Sequence, residues 1–71
     1  MKYYFTIDMT TDEFLPYYQG RAQSIIATTA QGVRVQFPAM HLRKHLTNSG
    51  IRGYFCLETL NQKFLSLTKI N

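Results

Sequence analysis

A chain of 71 residues that is 45% hydrophobic, 14% aromatic and 17% charged carries enough apolar surface to fold, which excludes a solvated disordered tail. Its length fits one domain over residues 1–71, and so short a chain buries a small fraction of its surface, so self-association into a homodimer would add stability. A lone cysteine, Cys56, excludes an internal disulfide framework, and no stretch approaches the ~20 apolar residues of a membrane-spanning helix.

The segment Lys2 to Asp8 alternates, with Tyr3, Phe5 and Ile7 on one side and Lys2, Tyr4, Thr6 and Asp8 on the other, the period of a half-buried strand. Its opening Met1-Lys2-Tyr3-Tyr4-Phe5 resembles the start of a signal peptide. Asp8 interrupts the apolar run early, so no export by this route is expected, and the lone Cys56 fits a reducing cytoplasm as the expected location. Thr10-Thr11-Asp12-Glu13 reads as a helix start: Thr10 can cap, Glu13 can complete a capping box, and both acids suit the positive helix end. Pro16 limits this helix to one or two turns, ending near Gly20.

Ala22 to Thr29 and Val33 to Phe37 form a predicted hairpin, with Gly32 supplying a positive φ in its loop. Pro38 suits the first position of a second helix over Ala39 to Leu46. On that helix Ala39, Leu42 and Leu46 make the buried stripe, and His41, Lys44 and His45 share the opposite face. Asn48-Ser49-Gly50 ends it. Ile51 to Glu58 alternates again, placing Arg52, Tyr54, Cys56 and Glu58 opposite Ile51, Gly53, Phe55 and Leu57. After the turn Asn61-Gln62-Lys63, a last strand from Phe64 to Ile70 centres on Leu65 and Leu67. The predicted class is α+β in the order β-α-β-β-α-β-β. Such an order makes a mainly antiparallel twisted sheet or partly closed barrel with two short helices.

Catalytic and ligand motifs are sparse. His41 and His45 are spaced i, i+4, but two ligands do not make a metal site, and Arg43 and Lys44 would repel a cation. Cys56 on a strand reads as a small apolar filler. Of four carboxylates, Asp12 and Glu13 serve a helix start, so no converging acid–base pair is apparent, and Gly20, Gly32, Gly50 and Gly53 form no phosphate-cradling loop. The expectation is a protein that is not an enzyme and uses no metal or cofactor.

Charge is unevenly spread. Residues 1–20 hold Lys2 against Asp8, Asp12 and Glu13, while residues 21–71 hold seven basic residues against Glu58 alone, giving a net charge of +4. This asymmetry permits an anionic partner. Tyr4, Arg34, Gln36, Arg52 and Tyr54 fall on outward strand faces, where rings could stack on bases and guanidiniums meet phosphates. The candidate polyanion contacts are Arg34, Arg43, Lys44 and Arg52, with Tyr4 and Tyr54 as stacking platforms. Tyr17-Tyr18 is a second aromatic pair, read as core packing or, alternatively, as an exposed docking patch.

The runs Glu13-Phe14-Leu15-Pro16-Tyr17-Tyr18-Gln19-Gly20, Gln36-Phe37-Pro38-Ala39-Met40-His41-Leu42-Arg43 and Gly50-Ile51-Arg52-Gly53-Tyr54-Phe55 resemble the domain-of-unknown-function family 2835. The resemblance spans nearly the whole chain and implies a short bacterial, cytoplasmic protein with no assigned activity. Within it, Arg43 stands out as either a helix-dipole partner or a ligand contact. The leading expectation is a small accessory or interaction protein, in some form a homodimer. The alternative is single-stranded nucleic-acid or other polyanion binding through a basic, tyrosine-containing face.

Overall fold

The computed structural model describes all residues from Met1 to Asn71. Its elements run β1 (Lys2–Met9), α1 (Thr11–Tyr18), β2 (Ser24–Thr28), β3 (Arg34–Pro38), α2 (Met40–Arg43), β4 (Ile51–Leu60) and β5 (Lys63–Lys69). The α+β class and element order match the periodicities in the sequence. The barrel expectation does not hold: the strands form two antiparallel sheets, one ordered β1-β4-β5 and one made of β2 and β3. No hydrogen-bonded ladder joins β1 to β2, although the two strands approach one another.

Period-two alternation decides which residues lie between the sheets. Phe5 and Ile7 of β1, Phe55 and Leu57 of β4 and Leu67 of β5 point inward, against Ile25, Ala27, Val35 and Phe37 of the β2–β3 hairpin. The Phe5 ring stacks on Phe37 at 5.7 Å and on Phe55 at 6.5 Å between centroids, joining the two sheets through one aromatic column. Phe14 of α1 and Leu42 of α2 seal the rest of the core.

Helix α1 begins where the sequence places it. The Thr10 hydroxyl accepts from the Glu13 N–H at 3.1 Å and the Glu13 carboxylate accepts from the Thr10 N–H at 2.9 Å, a complete capping box. The β2–β3 loop turns at Gly32, whose φ of +84° is the positive value expected. It is fastened by buried Thr29, whose hydroxyl accepts from the Val33 N–H.

Three local expectations are corrected. Pro38 does not open a helix; it is the last residue of β3, opposite Ser24. The Ala39 N–H donates to the Gln23 carbonyl at 2.8 Å, so the strand pairing runs one residue past the proline, which sits at a position of the ladder that asks for no N–H. Helix α2 is one turn long, because the hydrogen bonds beyond it close i to i+3: His45 N–H to Leu42 and Leu46 N–H to Arg43. In such a tightened turn residues i and i+3 eclipse, which brings His45 under Leu42 toward the sheet and off the solvent face predicted for it.

The third correction concerns β5. Its register jumps from Glu58↔Ser66 to Thr59↔Phe64, leaving Leu65 as the extra residue of a bulge. Phe64 and Leu67 therefore both face inward although they are three apart, and Leu65, expected to centre the strand, is exposed. Asn61 and Gln62, with φ of 53° and 65°, form the two-residue turn that precedes it.

Candidate functional site

The outward face of the three-stranded sheet is left open. Lys2, Tyr4, Thr6 and Asp8 of β1, Arg52, Tyr54, Cys56 and Glu58 of β4, and Ser66, Thr68 and Ile70 beside them all point away from the core. Both helices pack on the other side, through Phe14 and Leu42. At the centre of the face the Tyr4 and Tyr54 rings stack at 6.0 Å and 17° between planes, each about 40% exposed (41% and 42%). Ile70 lies alongside, also half exposed.

The register gives this face a charge pattern that composition alone conceals. Arg52 stands opposite Asp8, its Nε 3.0 Å from the carboxylate, and Lys2 stands opposite Glu58. Two cations and two anions occupy the four corners of a rectangle with like charges on the diagonals. The face is neutral as a whole, so the surplus of +4 resides elsewhere.

The sequence-predicted site residues consequently divide into three places. Tyr4, Tyr54 and Arg52 share the open face. Arg34 lies on the outward side of the β2–β3 hairpin beside Ile26 and Gln36. Arg43 and Lys44 belong to α2, and the Arg43 guanidinium is engaged within the chain, 4.3 Å over the Tyr18 ring with Nη2 donating to the Tyr18 carbonyl at 3.2 Å. That carbonyl belongs to the last residue of α1, so Arg43 serves as dipole partner to a neighbouring helix. Lys44 is exposed.

The Tyr18–Arg43 contact forms one wall of a groove of about 270 Å³ between α1 and α2, lined also by Phe14, Tyr17, Pro38 and Met40. Two of the runs that carry the family resemblance meet here. The Tyr17-Tyr18 pair splits its roles: Tyr17 is half-buried against Phe14 at 5.7 Å, and Tyr18 is exposed under the guanidinium.

Neither histidine lies free on the surface. His41 stacks flat on Phe64 at 3.7 Å between centroids, and His45 meets Phe55 edge-on at 5.2 Å. The bulge at Leu65, unmarked in the sequence, is what turns Phe64 inward to meet His41. No group of three or more His, Cys, Asp and Glu residues is placed to hold a metal ion. No helix is long and apolar enough to cross a membrane.

Burial holds the His45 imidazole below its ordinary pKa of 6.5, with the Lys44 and Lys69 ammoniums acting in the same direction, and its Nε2 has no hydrogen-bond partner. A histidine harder to protonate when folded makes the unfolded chain the better proton binder. Stability is therefore full above about pH 6.5 and declines as pH falls from there through the folded-state value. Thermal denaturation between pH 7.5 and 5.5 should show this decline, and His45→Gln should flatten it; an equal slope in both proteins would exclude His45 as its source.

These features define the class: a small α+β domain of two facing antiparallel sheets, with an aromatic, charge-balanced sheet face left uncovered. The chain belongs to the family described as Protein of unknown function (DUF2835), whose model matches residues 1–70. No curated protein and no solved structure matches it.

Proposed function

We propose that this protein is a binding module that acts by presenting a surface to a macromolecular partner and carries out no chemistry of its own. The observation that supports this reading best is the open sheet face. A 71-residue chain needs its apolar surface for its own core, yet Tyr4, Tyr54 and Ile70 are each left 41–51% exposed on one contiguous face. Tyrosine at such a position offers large, stiff contact area at small conformational cost, which suits recognition.

The polyanion reading draws less support. Arg52 is paired with Asp8, Arg43 is held on Tyr18, and Arg34 lies on the other sheet, so the tyrosine platform has no surplus of cations around it. Phosphate recognition needs such a surplus.

Sedimentation of fluorescently labelled protein in bacterial cell extract tests the proposal. A species heavier than the free chain, lost on converting Tyr4 and Tyr54 to serine, is the expected result. A chain that sediments as a free monomer both in extract and, when purified, at about 1 mM would overturn the reading. In parallel, short mixed-sequence single-stranded RNA at low salt should leave the amides of Tyr4, Arg52 and Tyr54 unmoved. Shifts there that fade as salt rises would put the polyanion reading ahead.

A further inference from the structure

Taking the open face as a binding surface, we infer that its partner is a second copy of this chain, seated face to face about a two-fold axis that crosses the strands. The carrying observation is the arrangement of charge. On β1 the face runs Lys2, Tyr4, Thr6, Asp8; on β4, in register, it runs Glu58, Cys56, Tyr54, Arg52. A rotation of 180° about an axis in the interface and perpendicular to the strands lays β1 on β1 and β4 on β4 with their ends exchanged. Lys2 then meets the partner's Asp8, and Glu58 meets the partner's Arg52. All four corner charges find an opposite charge at once, which a rectangle with like charges on its diagonals allows and a face of single sign forbids.

Side-chain size follows the same symmetry. The axis passes through the row of Phe5 and Phe55, which are opposite one another in the ladder. It sets Tyr4 over the partner's Thr6 and Tyr54 over the partner's Cys56. On the third strand Thr68 stands opposite Cys56, and the Ile70 N–H donates to the Tyr54 carbonyl, so Ile70 comes over the partner's Thr68. Each strand thus offers a large residue to a small one, the condition for two sheet faces to interdigitate. A two-fold axis along the strands, between β1 and β4, would also match charges but would leave the β5 side without a counterpart, so the crossing axis is preferred.

A lone polyanion, an acidic protein or a basic one would each meet two attractive and two repulsive corners. A second copy meets none that repel. The charges set orientation and register more than affinity, because exposed ion pairs in water contribute little. The area is small: three strands ~4.8 Å apart and about seven residues long at ~3.3 Å each project onto roughly 300 Å². A standard interface buries about 800 Å² per partner, so this association should be weak and reversible.

The experiment is self-association of the purified chain, followed to about 1 mM by sedimentation and by concentration-dependent amide shifts. Dimerisation with shifts centred on Tyr4, Thr6, Tyr54 and Cys56 is expected. The variant D8R/R52E keeps the internal ion pair, with its ends exchanged, and so keeps the fold. It sets like charge on like at all four corners of the crossed dimer, and should raise the dissociation constant at least tenfold. Exchanging the other pair as well, K2E/E58K/D8R/R52E, restores complementarity and should restore association. The inference is overturned if the chain is monomeric throughout, if the shifts map to another face, if D8R/R52E associates like the parent, or if the fourfold variant is not rescued. A purified chain that stays monomeric yet sediments as a heavier species in extract would reject this partner while leaving the binding-module reading intact.

Discussion

Phe55→Ala is expected to remove between a third and all of the chain's stability. Phe55 is fully buried on β4, the central strand of the larger sheet, where it stacks on Phe5 and receives the edge of His45. Truncating a buried phenylalanine costs about 3–5 kcal/mol, through lost transfer free energy and the cavity left behind. A domain of 71 residues has only about 4–10 kcal/mol of total stability. The substitution therefore removes a third or more of what there is. Urea denaturation should show the midpoint falling toward zero denaturant, with Phe55→Leu between parent and alanine. A loss below about 1 kcal/mol would mean that the aromatic column is not the centre of the core.

Gly50→Ala should be comparably damaging for a different reason. Gly50 has a φ of +110°, and a Cβ there would run into the Met9 carbonyl oxygen, with Thr10 Cα at 2.9 Å and the Met9 carbonyl carbon at 3.0 Å. All three are backbone atoms at the junction of β1 and α1, so no side-chain rotation relieves the overlap. Either the turn before β4 or the end of β1 must shift, and the pairing of Met9 with Ile51 shifts with it. Gly20→Ala is the informative control. Its φ is +79° but nothing lies within 4 Å of the added atom, so only the conformational cost of about 1 kcal/mol applies. Thermal melts of the two variants should differ by 10 °C or more, on the basis that about 1 kcal/mol moves a domain of this size by ~4–8 °C. Equal melting temperatures would show that the junction yields freely.

The contrast extends to Gly53, where an added Cβ would meet the end of the Lys69 side chain at 2.6 Å and the Asn71 oxygen at 2.8 Å. The lysine can swing away, but the Asn71 oxygen is backbone and accepts from the Tyr54 N–H at 3.0 Å, so relief at Gly53 requires the end of the chain to move, where at Gly50 it requires the β1–α1 junction to move. Both lie in the run that carries the family resemblance, and for both the packing around them supplies a reason.

What could be read from the sequence was whatever depends on neighbours within a few positions. The alternation of β1, the capping box from Thr10 to Glu13 and the positive φ of Gly32 are of this kind. Helix α2 stops short of the end that the apolar i+4 spacing of Leu42 and Leu46 predicts, because the chain tightens into i to i+3 turns there. The bulge at Leu65 was invisible because either of two adjacent apolar residues, Phe64 or Leu65, could have faced the core; pairing with β4 decided for Phe64.

The open face was half legible. Alternation alone placed Tyr4 and Tyr54 on outward sides, but it could not say that Arg34 would go to a different sheet. Nor could it say that Arg52 would stand opposite Asp8, forty-four positions away in the chain, and be neutralised by it. Those facts belong to strand order and register, which no local pattern encodes. A net charge of +4 thus suggested a basic face, where the ladder builds a neutral one.

The pairing of β1 with β4 also governs the order in which the molecule can form. Strand β1 finds its hydrogen-bonded neighbour only in residues 51–58, whereas β2 and β3 pair across a short loop between them. Closing the distant β1–β4 pair orders a much longer loop than closing the hairpin, so a folding transition state with the hairpin formed ahead of that pair is expected, read as high φ-values in β2–β3 and low ones in β1.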